Sequence, residues 1–116
     1  MKQLKKDPTL GHYQKHIKDI CKERGWHMNS DLVILSGLVE ETGELVRAMR
    51  DYKGEWEQEG KISKKGQKEH LEHEFADVFN YLLDLANYFD VDMEKAYRNK
   101  WKMNEKRNWG PSTGSG

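Results

Sequence analysis

Leu38-Val39-Glu40-Glu41-Thr42-Gly43-Glu44-Leu45-Val46 decides how the rest of this chain is read, together with a later echo, Glu74-Phe75-Ala76-Asp77. On a helix, residues three or four apart share a face. Glu41 and Glu44 therefore project side by side, and so do Glu74 and Asp77. Both pairs sit in segments otherwise rich in Leu, Val and Phe. If the two helices pack together, four carboxylates converge on one spot. At about 4 Å and an effective dielectric near 20, each like-charge pair costs on the order of 4 kcal/mol. Such a cluster is tolerable only if the groups are protonated or a cation sits among them. Oxygen-only ligands favour a hard ion, Mg²⁺ with Mn²⁺ as a substitute, which commonly arrives with a phosphate-bearing substrate.

Working outward, the 116 residues fit one domain with a modest core. Charged residues make up 34% and hydrophobic ones 35%, and the mean hydropathy is -1.04. Part of the apolar surface is therefore expected to be completed by a second subunit. The formal net charge is zero, which gives no support to a general affinity for a nucleic acid polymer or an anionic membrane. Cys21 stands alone, so no disulfide framework exists and a reducing compartment suits the chain. No apolar run approaches the ~18 residues of a membrane span, and the expected location is the cytoplasm.

Four helices are expected. Residues 1–8 read as a flexible start, and Thr9 caps a first helix to about Arg24, stopped by Gly25. Its apolar stripe is Leu10, Tyr13, Ile17, Ile20 and Cys21. After a connector at Trp26–Ser30, a second helix runs from about Asp31 to Tyr52. Its apolar face borders Glu41 and Glu44, while Glu40 points further toward solvent. Gly37 and Ala48 lie in line with the two acids, where small side chains serve either ligand approach or close helix packing. Residues 53–67 carry three glycines among many charges and read as a flexible loop. A third helix spans about Lys68 to Phe89, so broadly apolar that burial from more than one side is expected. His70, Glu74, Asp77, Tyr81 and Asp84 form its remaining strip. Asp92 caps a last helix, Met93 to about Arg107, on which Lys100, Asn104 and Arg107 share a side. Cations there need a partner, either neighbouring acids or a polyphosphate. The helical domain closes at 109, and 110–116 reads as a disordered tail.

These elements together resemble a family. Glu40-Glu41-Thr42-Gly43-Glu44 followed by Glu74-Phe75-Ala76-Asp77 is similar to the EExxE…ExxD signature of MazG-like nucleotide pyrophosphohydrolases, an all-α superfamily. Lys100, Asn104 and Arg107 match its K-x₃-N-x₂-R element, best developed in the dCTP-pyrophosphatase-like branch. The lead-in of that branch is similar to Val91-Asp92-Met93-Glu94-Lys95-Ala96. The resemblance covers roughly Leu32 to Arg107.

What the resemblance implies is a four-helix MazG-like bundle, and the broadly apolar third helix predicts that it is completed as a homodimer or homotetramer. The implied reaction is hydrolysis of a nucleoside triphosphate, a deoxynucleotide in the first instance, to monophosphate and pyrophosphate. Glu41, Glu44, Glu74 and Asp77 would then hold Mg²⁺, and Lys100, Asn104 and Arg107 would lie near the phosphates. Glu41 or Glu44 would accept a proton from the attacking water, and Lys100 would counter phosphate charge. Trp26, His27, Tyr52 and Tyr81 are candidates for contacting the base, because aromatic faces suit stacking. The rival is a non-catalytic nucleotide- or metal-binding helical module. A zinc-peptidase motif fails because Asp77 stands where His73-Glu74 would need a second histidine, and no Glu-x-x-His pair for a di-iron site occurs.

Overall fold

The computed structural model describes residues 3–54 and 63–107, which form an all-α fold with no strand among them. The four helices are α1 (Leu10–Glu23), α2 (Asp31–Lys53), α3 (Lys64–Tyr88) and α4 (Met93–Glu105), with a 3-10 turn at Trp26–Met28 between α1 and α2. Residues 3–8 carry no helix. The expected tail at 110–116 and most of the expected loop, at 55–62, lie outside the described residues.

The caps explain where each helix starts and stops. Thr9 forms a capping box with His12: the Thr9 hydroxyl accepts from the His12 N–H and His12 Nδ1 accepts from the Thr9 N–H. Gly25, at φ 78°, turns the chain out of α1. Ser30 caps α2 and Asp92 caps α4 by accepting the backbone N–H three residues on. α3 begins four residues before its expected start, inside the expected loop. Ser63 accepts from the Gly66 N–H and nucleates a turn there, so Gly66 is helical and its loop-like composition misleads. At the other end, the Val91 N–H bonds to the Ala86 carbonyl (2.8 Å) and the Asp90 N–H to Asn87 (3.1 Å). This is a Schellman closure with Asp90 in the left-handed region at φ 56°.

α2 and α3 make the dominant pairing. Gly37 meets Tyr81, Glu41 meets Glu74 and Asp77, and Tyr52 meets Lys64 and Lys68. These contacts run in opposite order along the two helices, so the pair is antiparallel. Ile34 and Ala48 of α2 and the fully buried Leu83 of α3 form its core. α1 lies across α3, with Tyr13 edge-on to Phe79 at 5.6 Å between ring centroids. Buried Gln14 then ties the α3–α4 corner to α1. Its amide donates to the Val91 carbonyl and accepts from the Met93 N–H (3.1 Å), and its backbone carbonyl accepts from Asn87 Nδ2 (3.0 Å). Each net bond of this kind is worth about 1 kcal/mol, and orphaning one buried group costs about 1–3.

The core is small for the chain. Leu32, Val39, Phe75, Phe89, Tyr97 and Trp101 are each more than half exposed.

Candidate functional site

The antiparallel register brings Glu41 of α2 opposite Glu74 and Asp77 of α3. One carboxylate oxygen from each lies within 4.8 Å of the others. Close approach here has a local cause. A Cβ on Gly37 would meet Tyr81 Cε1 at 2.2 Å, so the Tyr81 ring lies directly on the α2 backbone one turn before Glu41. Ala48 is buried two turns beyond Glu41. Of the two readings of these small residues, close helix packing is the one they serve. The hydroxyls on the same helix are used internally: Ser36 Oγ donates to the Leu32 carbonyl and Thr42 Oγ1 to the Leu38 carbonyl, both at 2.8 Å. The cluster is thus purely carboxylate.

Electrostatics marks the same spot. The Glu41 carboxyl is pushed above its ordinary value of 4.5, first by partial burial, then by a proton shared with Glu74, then by the charges of Asp77, Glu74 and Glu44. Glu74 has one oxygen, Oε1, at 3.3 Å from His70 Nε2, while its other oxygen, Oε2, is buried with no hydrogen-bond partner. A buried carboxylate oxygen left without a partner, on a residue that stands with two more acids, fits a hard cation. Glu44 is exposed and stands beside the trio, near enough for its charge to raise Glu41.

A cavity of about 450 Å³ adjoins the cluster through Asp77. Ile17, Ile20 and Cys21 of α1, Trp26 and Asn29 of the connector, and Asp77, Asn80, Tyr81 and Asp84 of α3 line it. The Tyr81 phenol is held protonated by burial, and further by the charges of Glu41, Glu40, Asp84 and Asp77, so it presents a donor among acceptors. Trp26 is about half exposed (48%), with the Arg24 guanidinium 5.2 Å from the ring centroid. At the far end, the buried Cys21 thiol hydrogen-bonds to Asp84. Burial, then the Asp84 charge and that hydrogen bond, push Cys21 up to about 11. Burial likewise raises Asp84, and the Cys21 hydrogen bond partly offsets the rise.

The sequence-derived candidates divide accordingly. Glu41, Glu74 and Asp77 converge. Trp26 and Tyr81 share the cavity next to them, while His27 lines a smaller recess of about 110 Å³ on the other side of Cys21 and Asp84. Tyr52 is instead covered by Lys64, 3.9 Å from its ring centroid. Lys100, Asn104 and Arg107 are not gathered with the acids in one chain. α4 rests on α1, with no comparable contact to α2 or α3 among the described residues, and Lys100 and Arg107 are exposed. His70, Asn80 and Asp84 were not singled out as site residues. The signal for His70 and Asp84 was present, since both lie on the Glu74/Asp77/Tyr81 strip. Asn80 and Asn29 reach the cavity only through the way α1 and the connector pack on α3, which helical spacing does not encode.

An all-α domain whose two long helices gather three carboxylates beside a cavity of about 450 Å³ defines the class of this protein. Over residues 29–110 the chain matches the MazG nucleotide pyrophosphohydrolase domain, and it belongs to that family. It is 32% identical over 96 residues to the uncharacterized protein YvdC of Bacillus subtilis, an overlap covering 78% of this chain and 91% of the relative. The crystal structure of YPJD of Bacillus subtilis, described as a candidate pyrophosphatase, superposes with a TM-score of 0.72 at 26% identity. That match covers 90% of this chain and all of the other. Among the described residues no helix is long and apolar enough to cross a membrane.

Proposed function

We propose that this protein is a Mg²⁺-dependent pyrophosphohydrolase that converts a nucleoside triphosphate, in the first instance a deoxynucleotide, to the monophosphate and pyrophosphate, serving to clean the cytoplasmic nucleotide pool. The observation that carries this reading is the Glu41/Glu74/Asp77 trio with the orphaned Glu74 Oε2. Glu74 and Asp77 would hold the cation, with Glu41 and, after a side-chain rotation, Glu44 completing its protein ligands. Mg²⁺, or Mn²⁺ in its place, would supply charge neutralisation on the phosphate oxygens and acidify a water.

The chain's own residues do the rest. Glu41 or Glu44 takes the proton of the attacking water, whose oxygen bonds to the α-phosphorus. The α–β bridging P–O bond breaks and pyrophosphate leaves. Without a cation the Glu41 carboxyl is raised by burial and by its acidic neighbours, and a cation held among them would lower it again, leaving it ionised to accept the proton. The aromatic walls at Trp26 and Tyr81 take the nucleoside, with His27 behind Cys21 at the edge of that region.

Lys100, Asn104 and Arg107 enter through assembly. With α4 set against α1 and large apolar side chains exposed on α2, α3 and α4, a homodimer or homotetramer would bury those faces and bring α4 of one copy to the phosphates held by another. The direct test incubates the protein with each deoxynucleoside and ribonucleoside triphosphate and Mg²⁺. Monophosphate with pyrophosphate is expected; release of orthophosphate alone, or no product, removes the proposal.

A further inference from the structure

The far end of the cavity carries an inference that rests on the nucleotide reading above and goes beyond it. Asp77 belongs both to the carboxylate cluster and to the cavity wall, and Asp84 lines the same wall two helical turns further along α3. Seven residues at 1.5 Å each place their backbones about 10 Å apart along the helix axis. That is the reach from the α-phosphate through the sugar to the pairing edge of a base. A nucleotide whose phosphates sit at the cluster, with its base between Trp26 and the α3 wall, therefore presents its pairing edge to Asp84.

We propose that Asp84, steadied by the Cys21 thiol, selects nucleobases carrying an exocyclic amine over the same ring carrying a carbonyl at that position. Of the remaining polar side chains, Asp77 belongs to the carboxylate cluster, and the two asparagines and Tyr81 do not discriminate. Asn29 and Asn80 each offer an amide that turns either its donor or its acceptor toward a ligand, and the Tyr81 hydroxyl also serves both ways. An ionised carboxylate only accepts. Cys21 is buried (7% exposed) and stays a thiol, so its S–H occupies one side of the Asp84 carboxylate and fixes its orientation. Asp84 lines the cavity, so the lone pairs left over are open to a ligand there. An amine there completes them, whereas a base carbonyl sets two acceptors against each other in a partly dry site, and an unmade buried bond costs about 1–3 kcal/mol.

Matched pairs test the selection. Cytosine and uracil differ at the pyrimidine 4-position by amine against carbonyl and at N3 by acceptor against N–H donor. Adenine and hypoxanthine differ the same way at the purine 6-position and N1. A preference for the amino member therefore places the carboxylate at the exocyclic position rather than at the ring nitrogen. Dissociation constants for dCMP against dUMP, and dAMP against dIMP, are measured by calorimetry with Mg²⁺ at mildly alkaline pH, which holds the carboxyl ionised. The amino member of each pair is expected to bind about 10- to 100-fold more tightly, the range an unmade buried hydrogen bond implies. Asp84→Asn, which keeps the shape and adds a donor, is expected to bring the ratio to near one or reverse it, while Cys21→Ser, which keeps a donor, preserves it.

Equal affinities within both pairs for the native protein overturn the proposal whether or not Asp84→Asn folds. So does a folded Asp84→Asn with an unchanged ratio, or an absence of binding by all four monophosphates. Because the readout is binding, a protein that shows the preference yet hydrolyses no triphosphate would sink the hydrolase reading and leave this one standing.

Discussion

The α2–α3 pair and the α1–α4 pair are both amphipathic helices in contact, yet only the first concentrates its chemistry within one chain. α2 and α3 are 23 and 25 residues long and approach closely at Gly37 and Ala48, so charges carried on their shared edge are forced together. α4 has 13 residues, more than half of them Lys, Arg, Glu or Asn, and is held at its N-terminal end by the Gln14 ties. Its cationic side is not delivered to the acids. Convergence is thus a property of the long, tightly packed pair, and the short helix pinned at one end has no part in it within this chain.

The sharpest way to break this comparison is at the converging pair. Glu41→Gln and Asp77→Asn are each expected to lower turnover by at least about a hundredfold, since removing a ligand weakens the cation site directly. Helix content by circular dichroism should be unchanged. Both variants should melt higher than the native protein when no divalent ion is present, because one member of a mutually repelling cluster is gone. Native-like turnover in either variant would remove that residue from the ligand set.

The other half of the comparison is tested by mixing. Lys100→Ala is expected to be severely impaired, and Glu41→Gln inactive. If α4 serves a neighbouring copy, dissociating and reassembling the two variants in equal amounts leaves one intact site in each mixed dimer. Random pairing then restores about a quarter of native activity. No recovery would mean that Lys100 acts within its own chain.

Stability reports on the cluster more gently. Mg²⁺ at a hundred times its dissociation constant adds about 2.7 kcal/mol. For a domain of this size that amounts to a rise in Tm on the order of 10 °C, lost on adding a chelator and absent in Asp77→Asn. Without metal the pH trend has a definite sign. Glu41 is raised in the folded state, so the folded chain binds protons more readily than the unfolded one there. The stability this contributes is fully present below the ordinary value of 4.5 and is lost as pH rises through the folded value. Asp84, raised by burial from 3.8, acts in the same direction. Metal-free melting should therefore fall between mildly acidic and neutral pH, and Mg²⁺ should flatten the slope. A metal-free Tm rising steadily over that window would contradict the shared-proton geometry at Glu41 and Glu74.

How much of this was legible in the sequence follows the same division. The acids at three-residue spacing on α2 and on α3 identified both helices and their facing edges, because helical periodicity is local information. The capping residues Thr9, Ser30 and Asp92 were equally readable. The early start of α3 was not, because Gly66 and the surrounding charges resemble loop and only the Ser63 cap reveals the turn. The cavity was half readable. Tyr81 and Asp84 lie on the acidic strip, but its other wall depends on where α1 and the Trp26–Met28 turn settle, and that is set by tertiary contacts such as Tyr13 on Phe79. The position of α4 rests on Gln14, a single buried polar side chain that no amphipathic pattern singles out.

The smallest effects separate two glycines of the same helix. Replacing a mid-helix glycine by alanine gains about 0.8–1.0 kcal/mol of helix propensity. At Gly43, where a Cβ would meet nothing within 4 Å, that gain should appear in full as a higher Tm. At Gly37 the added Cβ falls 2.2 Å from Tyr81 Cε1 and 2.6 Å from Cζ, well inside contact, so the ring must leave its seat or the helices must separate. Overpacking of this kind costs about 1–3 kcal/mol, which exceeds the propensity gain, so Gly37→Ala should be neutral to destabilising. Displacing the ring also reshapes the cavity beside Asp77, so KM for nucleotide should rise more than kcat falls. The double variant decides between the two routes. With Tyr81→Ala in place the clash is gone, and Gly37→Ala should then stabilise by the same increment as Gly43→Ala. If Gly37→Ala instead destabilises equally with and without the Tyr81 ring, the close approach of α2 and α3 is set by backbone packing rather than by this aromatic seat, and the convergence of Glu41 with Glu74 and Asp77 has another cause.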